Sequence, residues 1–401
     1  MKILMVTRDI KMGIGTTVKN LVWQFEQRPD VEKITVVAPG TFEVKTNKVE
    51  FKLAPMWGKY FFTKEITFGI SAFRALKEAM KNDNYDIIHL HSNVLGYRFL
   101  PKKQITPIVS TFQGTHKALM KMSVPMVSTF HSTHRLTMGT VPINDLKYSL
   151  GKYLHIPFIL MDNDRIKRSK TIACVSTYTL DEIKNDHKTK TSGYYFIPNG
   201  VKTDVYHKID GLDKHKFWKE KFNIDDPRKK LLYIGRLESG KGVMNLAEAV
   251  KGIPNAMLIF VGEGPEKEVL EKNEFVRCVG YVTDEALKNE IINASDLMVF
   301  PSLYENFPLV IGEAMSAELP LISTKVGMVP YMLQNSESEL CEPGDVEEMR
   351  DKIITLLNNP TRQEELRKIN RDFAVKNLNW KIIADEYINL YTKVNNEQIK
   401  Y

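Results

Sequence analysis

Cysteine is nearly missing from this chain: Cys174, Cys278 and Cys341 are its three, in 401 residues. Thiols so few and so far apart form neither a disulfide framework nor a metal cluster. Long apolar runs are missing as well. The longest, Tyr153–Met161, contains His155 and falls far short of the roughly 20 residues that cross a bilayer. No signal-peptide core precedes the strand pattern Lys2–Thr7, so the expectation is a soluble, reduced, cytoplasmic protein. What is present is a globular balance, 43% hydrophobic and 26% charged, which excludes disordered, collagen-like and fibrous chains. A length of 401 residues predicts two domains rather than one.

Charge divides the chain in the same way. Residues 1–200 hold 29 Lys+Arg against 16 Asp+Glu, and the remainder 27 against 33. A basic half beside a mildly acidic half predicts domains with different partners. Anionic lipid, nucleic acid and a phosphorylated substrate are all open readings of the basic half.

Short β-branched runs alternate with helix-length amphipathic stretches. The expected strands are Lys2–Thr7, Ile34–Ala38, Val49–Ala54, Ile87–His89, Ile108–Phe112, Val127–Phe130 and Ile172–Val175, then Leu231–Ile234, Met257–Val261, Val276–Val279, Leu297–Phe300 and Leu321–Thr324. Strands apolar on both faces and separated by helices read as parallel α/β sheets. The pattern restarts after polar stretches at 185–192 and 210–229. Two doubly wound, Rossmann-like domains are therefore expected: 1–190, 191–379, and a closing helix over 380–401 that returns to the first domain. Pro107–Lys117 is followed 18 residues later by Pro125–Arg135, with seven of eleven positions identical, a small tandem duplication.

Three segments carry chemistry. Met12-Gly13-Ile14-Gly15-Thr16 lies between a strand and a helix, where glycines let backbone N–H groups approach a phosphate. On its own it is equally a tight turn, and the second strand ends Val37-Ala38-Pro39 without the acid that NAD needs. Gly235-Arg236-Leu237-Glu238-Ser239-Gly240-Lys241-Gly242 follows a strand and sets an Arg fork and a Lys point charge on a glycine-rich loop, a diphosphate clamp or a solvated loop. Pro301–Ser316 carries Glu305 in a loop and Glu313 in the following helix, with Pro308 suited to the helix start. Carboxylates accept from sugar and ribose hydroxyls. His89 and His91 lack further metal ligands and read as packing or cleft-lining residues. Asp162-Asn163-Asp164 has the spacing of a metal-binding Asp-x-Asp but sits in a basic helix, which reads as solvated. Met56–Lys64 mixes aromatics with cations, as an exposed membrane or acceptor contact or as a core cluster.

Taken in order, the chain resembles the family 4 retaining glycosyltransferases of the GT-B fold. The resemblance rests on Glu305-x7-Glu313, Ile197–Val201, Gly235-Arg236…Lys241-Gly242, Val261–Pro265 and the terminal Trp380…Tyr391 helix. It implies two such domains facing a cleft, and an enzyme that moves a sugar from a nucleotide-diphosphate donor, UDP- or GDP-linked, to a hydroxyl acceptor. It implies that Arg236 and Lys241 hold the diphosphate, that Glu313 holds the ribose, and that Glu305 with the amides of Asn306, Phe307 and Leu309 holds the donor sugar or its phosphate. Val279 and Tyr281 flank the base, Gly13 and Gly15 close over the phosphates, and neither metal nor cofactor is required. The family's catalytic histidine slot falls on Gln113 in the first repeat and His131 in the second, and His131 is favoured. The sequence departs from the family at Met12, Gly15, Asn306-Phe307-Pro308, Glu318 (a frequent glycine) and Tyr331. The basic half makes a lipid-linked glycan, polysaccharide or glycolipid precursor the expected acceptor, with a peripheral contact on the inner face of the membrane. A GT-B nucleotide-sugar epimerase, and a basic nucleic-acid- or lipid-binding protein on the same scaffold, are the alternatives. The intact Arg236, Lys241, Glu305 and Glu313 argue against the latter.

Overall fold

The computed structural model describes residues 1–10, 13–58, 61–92, 106–113, 156–186 and 193–398. It divides into two units, Met1–Pro198 with Ala384–Tyr401, and Asn199–Ile383.

In the first unit the strands are β1 (Lys2–Val6), β2 (Lys33–Ala38), β3 (Val49–Leu53), β4 (Ile87–Leu90), β5 (Ile108–Phe112), β6 (Thr171–Cys174) and β7 (Gly193–Phe196). They form one sheet in the order β3-β2-β1-β4-β5-β6-β7, with every pair parallel. A parallel pair needs a crossover, and helices Ile14–Phe25 and Phe61–Asn82 supply two of them. The second shows why its sequence is helical. Phe68, Ala72, Ala75, Leu76 and Ala79 repeat at three- and four-residue spacing and bury against Leu4, Val6, Val37, Ile88 and Leu90. Burying Phe68 and Leu76 contributes roughly 1.5–3 kcal/mol each.

In the second unit, β8 (Lys229–Ile234), β9 (Ala256–Val261), β10 (Val276–Gly280), β11 (Leu297–Phe300), β12 (Leu321–Thr324) and β13 (Leu340–Cys341) form a parallel sheet ordered β10-β9-β8-β11-β12-β13. The order reverses between β1 and β4 in one sheet and between β8 and β11 in the other. Ligands of doubly wound sheets bind at the carboxyl ends beside such a reversal. Val201 pairs with Asn379, and Asn379 donates to Thr203 Oγ1 at 2.6 Å, so the Ile197–Val201 motif meets the start of the last helix. That helix, Trp380–Gln398, starts in the second unit and ends in the first.

Eleven of the twelve expected strands are present, and Val127–Phe130 lies outside the described residues. The sequence reading missed β7 and β13. The first is a half-exposed edge strand rich in tyrosine, placed beyond the expected domain boundary, and the second has only two residues. Asp162 is corrected: it is 4% exposed rather than solvated, on helix Ile156–Arg168, where Arg165 stacks 3.5 Å over the Phe112 ring. Asp164 pairs with Arg168, and among the described residues no three His, Cys, Asp or Glu side chains gather as a metal site. Glu318 keeps the glycine conformation of the position it occupies, with φ 60 and its carbonyl held by Arg367 at 2.7 Å.

His89 and His91 are core residues. His89 Nε2 meets Thr111 Oγ1 at 2.7 Å and its Nδ1 meets the Tyr391 hydroxyl at 2.5 Å, which fastens the last helix to β4 and β5. The Tyr387 hydroxyl reaches the same Thr111 at 3.0 Å. Burial pushes His91 down to about 3, with Arg165 adding to the effect. His89 is shifted the same way, first by burial and then by His91 and Arg165. Both rings are neutral in the fold, whereas an unfolded chain binds their protons near pH 6.5. The stability they contribute is present above that pH and is lost as pH falls towards the folded value. For His91 the loss between pH 7 and pH 5 is about 2 kcal/mol. Urea denaturation at both pH values, on wild type and His91→Phe, should show a shallower acid loss in the variant. Identical pH dependence in both would refute this account.

Candidate functional site

Two loops at the reversal of the second sheet build the site. After β8 the chain passes Gly235–Glu238, makes one 3₁₀ turn over Ser239–Lys241, and enters helix Val243–Val250 through Gly242. Gly242 has φ 66, and a Cβ there would lie 2.0 Å from the Pro301 carbonyl, so only glycine admits the second loop this closely. Leu303 N–H donates to the Gly240 carbonyl at 3.1 Å, joining the loops.

That join brings Lys241 to Glu305: Nζ and Oε1 are 2.6 Å apart, with the side chains 24% and 16% exposed. Ser302 Oγ, fully buried, reaches the same carboxylate oxygen at 3.3 Å. The backbone of Glu305 is confined as well. Gly327, at φ 51, would set a Cβ 2.3 Å from the Glu305 carbonyl, and Met328 N–H donates to the Asn306 carbonyl at 2.9 Å. Phe307 is buried, and helix Leu309–Ser316 starts behind Pro308 without a side-chain cap. Its amide dipoles therefore end at this loop.

Arg236 is half exposed and pairs with Glu238 at 2.7 Å, while the Tyr233 hydroxyl donates to the Arg236 carbonyl at 3.0 Å. Glu313 points from the helix to Lys288 on helix Glu285–Ala294, with Nζ and Oε1 2.9 Å apart and exposures of 20% and 14%. Lys288 Nζ also lies 4.9 Å from the Tyr206 ring centroid. The Tyr206 hydroxyl is buried, and burial, followed by the charges of Glu313 and Glu285 and by an interaction with the Glu313 carboxylate, raises its pKa. The motif Val261–Pro265 runs alongside: Leu237 N–H donates to the Glu263 carbonyl at 3.0 Å and Gly262 N–H to the Gly280 carbonyl at 2.8 Å.

The second unit thus places Arg236, Lys241, Glu305, Asn306 and Phe307 on the loops after β8 and β11, and Leu309 and Glu313 on the helix that follows β11. Val279 and the exposed Tyr281 sit at the end of β10, two strands from β8. Gly13 and Gly15 belong to the first unit. There Gly13 precedes helix Ile14–Phe25 at φ 51, and Gly15 lies against the backbone of Asp9 and Ile10. Gln113 follows β5, its Nε2 3.5 Å from Thr17 Oγ1, and His131 lies outside the described residues. Sequence reasoning missed Ser302, Gly327, Tyr206 and Lys288. Lys288 sits in a helix whose charges look like any solvated face, so no motif marks it.

Residues 12–205 match the model of Glycosyltransferase Family 4, and residues 214–373 that of Glycosyl transferases group 1. The chain belongs to the family 4 glycosyltransferases. It is 32% identical over 181 residues to the sulfoquinovosyl transferase SQD2 of Arabidopsis thaliana, covering 43% of this chain and 34% of that one. The chain therefore spans about a third of that relative's length. Its fold is similar to that of a sucrose-phosphate synthase from Thermosynechococcus elongatus, with a TM-score of 0.74 at 17% identity over 98% of both chains. It is also similar to that of HepE from Anabaena, solved in complex with UDP-glucose, with a TM-score of 0.70 at 15% identity over 98% and 99%. Both likenesses identify the GT-B fold.

The packing of this candidate site makes a stability prediction. Gly327→Ala forces a Cβ into a left-handed backbone and against the Glu305 carbonyl, and should lose about 1–2 kcal/mol or more. Gly240→Ala, on the adjoining loop with open space around it, should stay within about 0.5 kcal/mol of wild type. Urea midpoints of the two variants check this, and equal midpoints would refute it.

Proposed function

We propose that this glycosyltransferase moves a sugar from a nucleotide-diphosphate donor to a hydroxyl acceptor, with retention at the anomeric carbon and without a metal. The observation that carries the reading is the meeting of Lys241 with Glu305 on the loops after β8 and β11, which flank the reversal, and of Glu313, on the helix that follows, with its own cation. Arg236 and Lys241 hold the diphosphate, Glu313 accepts from the ribose, and Glu305 with the amides of Asn306, Phe307 and Leu309 orients the donor sugar. Val279 and Tyr281 border the base, which is uracil or guanine. The complex of HepE with UDP-glucose favours a UDP-linked donor.

In the reaction the bond from anomeric carbon to phosphate oxygen breaks, and the bond to the acceptor oxygen forms on the same face. The acceptor proton passes to the departing phosphate. Charge grows on the diphosphate, and fixed cations with helix-end amides stabilise it where it grows. The histidine of the first unit in this reading is His131.

The acceptor is a lipid-linked glycan, polysaccharide or glycolipid precursor, reached from the cytoplasmic side. In support, the first unit exposes Leu53, Trp57 and Ile70, and along helix Phe61–Asn82 the residues Ile70, Arg74, Lys77 and Lys81 are exposed at helical spacing. An exposed apolar residue followed by three cations at helical spacing, with Glu78 the one exposed acid among them, suits the surface of an anionic bilayer. No helix among the described residues is long and apolar enough to cross a membrane.

The test is nucleotide release from UDP-, GDP- and ADP-sugars, with a lipid and glycan extract as acceptor, on wild type, Arg236→Ala and Glu313→Ala. Acceptor-dependent release with one donor, reduced roughly ten- to a hundredfold in each variant, is expected. Donor isomerisation without acceptor would make the protein an epimerase. A chain that binds no donor would overturn the reading. Sedimentation with anionic vesicles at low salt tests the membrane contact separately.

A further inference from the structure

Glu313 is not held by its own helix. Its Oε1 accepts from Lys288 Nζ at 2.9 Å, 25 residues away in sequence, and both side chains are largely buried. Lys288 is itself fixed from a second side, because its ammonium lies 4.9 Å from the centre of the Tyr206 ring, within cation–π range. Tyr206 is in turn tied to the helix that carries Glu313. Its carbonyl accepts from Ser316 Oγ at 2.5 Å and from Arg371 at 3.0 Å, and Ser316 stands three residues after Glu313. The arrangement is a closed loop of contacts: Glu313 to Lys288, Lys288 to Tyr206, Tyr206 to Ser316, and Ser316 back along one helical turn.

A competing partner for Lys288 is occupied elsewhere. Glu285, three residues before Lys288 on the same helix, would otherwise face it, but its carboxylate takes Lys202 at 2.7 and 2.9 Å. Lys288 is left with Glu313. A flexible carboxylate has two oxygens and about four acceptor positions, and it swings freely when unpartnered. With one oxygen bound to a fixed cation the plane of the group is set and the other oxygen has a defined direction. That oxygen keeps about two acceptor positions and can accept from two adjacent hydroxyls.

We propose that Lys288 is a positioning residue: it orients Glu313 so that the second carboxylate oxygen accepts from the vicinal 2′- and 3′-hydroxyls of the donor's ribose, and it thereby sets the preference for ribo- over deoxyribonucleotides. The inference rests on the reading of Glu313 as the ribose-binding group. It adds the device that makes that binding selective. Lys288 touches neither the sugar nor the diphosphate in this account and acts through Glu313 alone.

The experiment is titration of the full chain with UDP, 2′-deoxy-UDP and 3′-deoxy-UDP, and with the matching guanosine series. The proteins are wild type, Glu313→Gln, Lys288→Met, Lys288→Gln and Lys288→Arg, each checked for an unchanged melting temperature. Wild type should prefer the ribonucleotide by on the order of tenfold or more, the worth of one hydrogen bond to a charged group. Lys288→Met and Lys288→Gln should bring that ratio down to within about threefold of unity, close to Glu313→Gln, and Lys288→Arg should restore most of it. The ratio between sugars distinguishes positioning from a general loss of structure, which would weaken all three ligands alike. Wild-type discrimination that persists in both Lys288→Met and Lys288→Gln would overturn the inference and leave the donor reading standing. Tighter UDP binding in those variants would also overturn it, because Lys288 would then be a competitor for Glu313. A wild type that binds neither series would overturn the donor reading and this inference with it.

Discussion

Everything in the second unit follows from one topological constraint: β8 lies between β9 and β11, so the chain leaves the carboxyl ends of β8 and β11 side by side although 63 residues separate Ile234 from Leu297. A parallel sheet sends all these exits to one edge, and the reversal of strand order opens space between two of them. Lys241 and Glu305 meet at 2.6 Å for that reason and not because they are near in sequence. The loop after β12 then adds Gly327 beneath Glu305, so the site is assembled in the order of the sheet.

The charges at this edge are paired. Lys241 answers Glu305, Lys288 answers Glu313, Arg236 answers Glu238, and Lys202 answers Glu285. Such pairs are weak sources of stability, because desolvating two ions offsets most of their attraction, while removing one partner alone strands the other. Under the proposed function, the pairs on the loops after β8 and β11 and on the helices beside them are preparation for a ligand. Protein groups hold each charge in place before a diphosphate or a diol arrives, so little reorganisation remains to be done on binding. Gly242, Gly327 and the fully buried Ser302 give the backbone and the polar contacts that keep the pairs from drifting.

Much of this was legible in the sequence, and the exceptions have physical reasons. Strands buried on both faces, such as Leu297–Phe300 and Leu321–Thr324, stand out as short apolar runs, and the structure puts them at those residues. The glycine-rich loops stand out because close backbone approach leaves a residue-type signature, whereas Glu305 and Glu313 are singled out by the resemblance to family 4. β13 could not, since two residues carry no period. Lys288 and Tyr206 could not either: a lysine on an amphipathic helix and a tyrosine after a turn have no signature until the sheet brings them together. Asp162 was misread because a charge in a basic helix suggests solvent, whereas this face of the helix packs on β5, where Arg165 covers Phe112. His89 and His91 are found in the core, their rings 3.9 Å apart, and His89 is bound through Tyr391 to a last helix whose spacing is visible in the sequence but whose partner is not.

The uneven distribution of charge fits the same division of labour. The second unit lies in the part of the chain with more acids than bases, 33 against 27, yet it carries the residues assigned to a doubly negative donor. That is possible because a diphosphate is held at contact distance by a few oriented groups, where the sign of distant surface charge counts for little. Beyond about 8–10 Å at physiological salt, surface charges are screened. A surface that meets an extended anionic partner works differently. No single contact dominates, and what matters is the sum over many cations, each contributing about 1 kcal/mol at an anionic bilayer. The first 200 residues, with 29 bases against 16 acids, have that diffuse character. In the proposed function, a local clamp in one part of the chain and a distributed field in the other would be two solutions to binding anions, and their separation along the chain would match the separation of donor from acceptor.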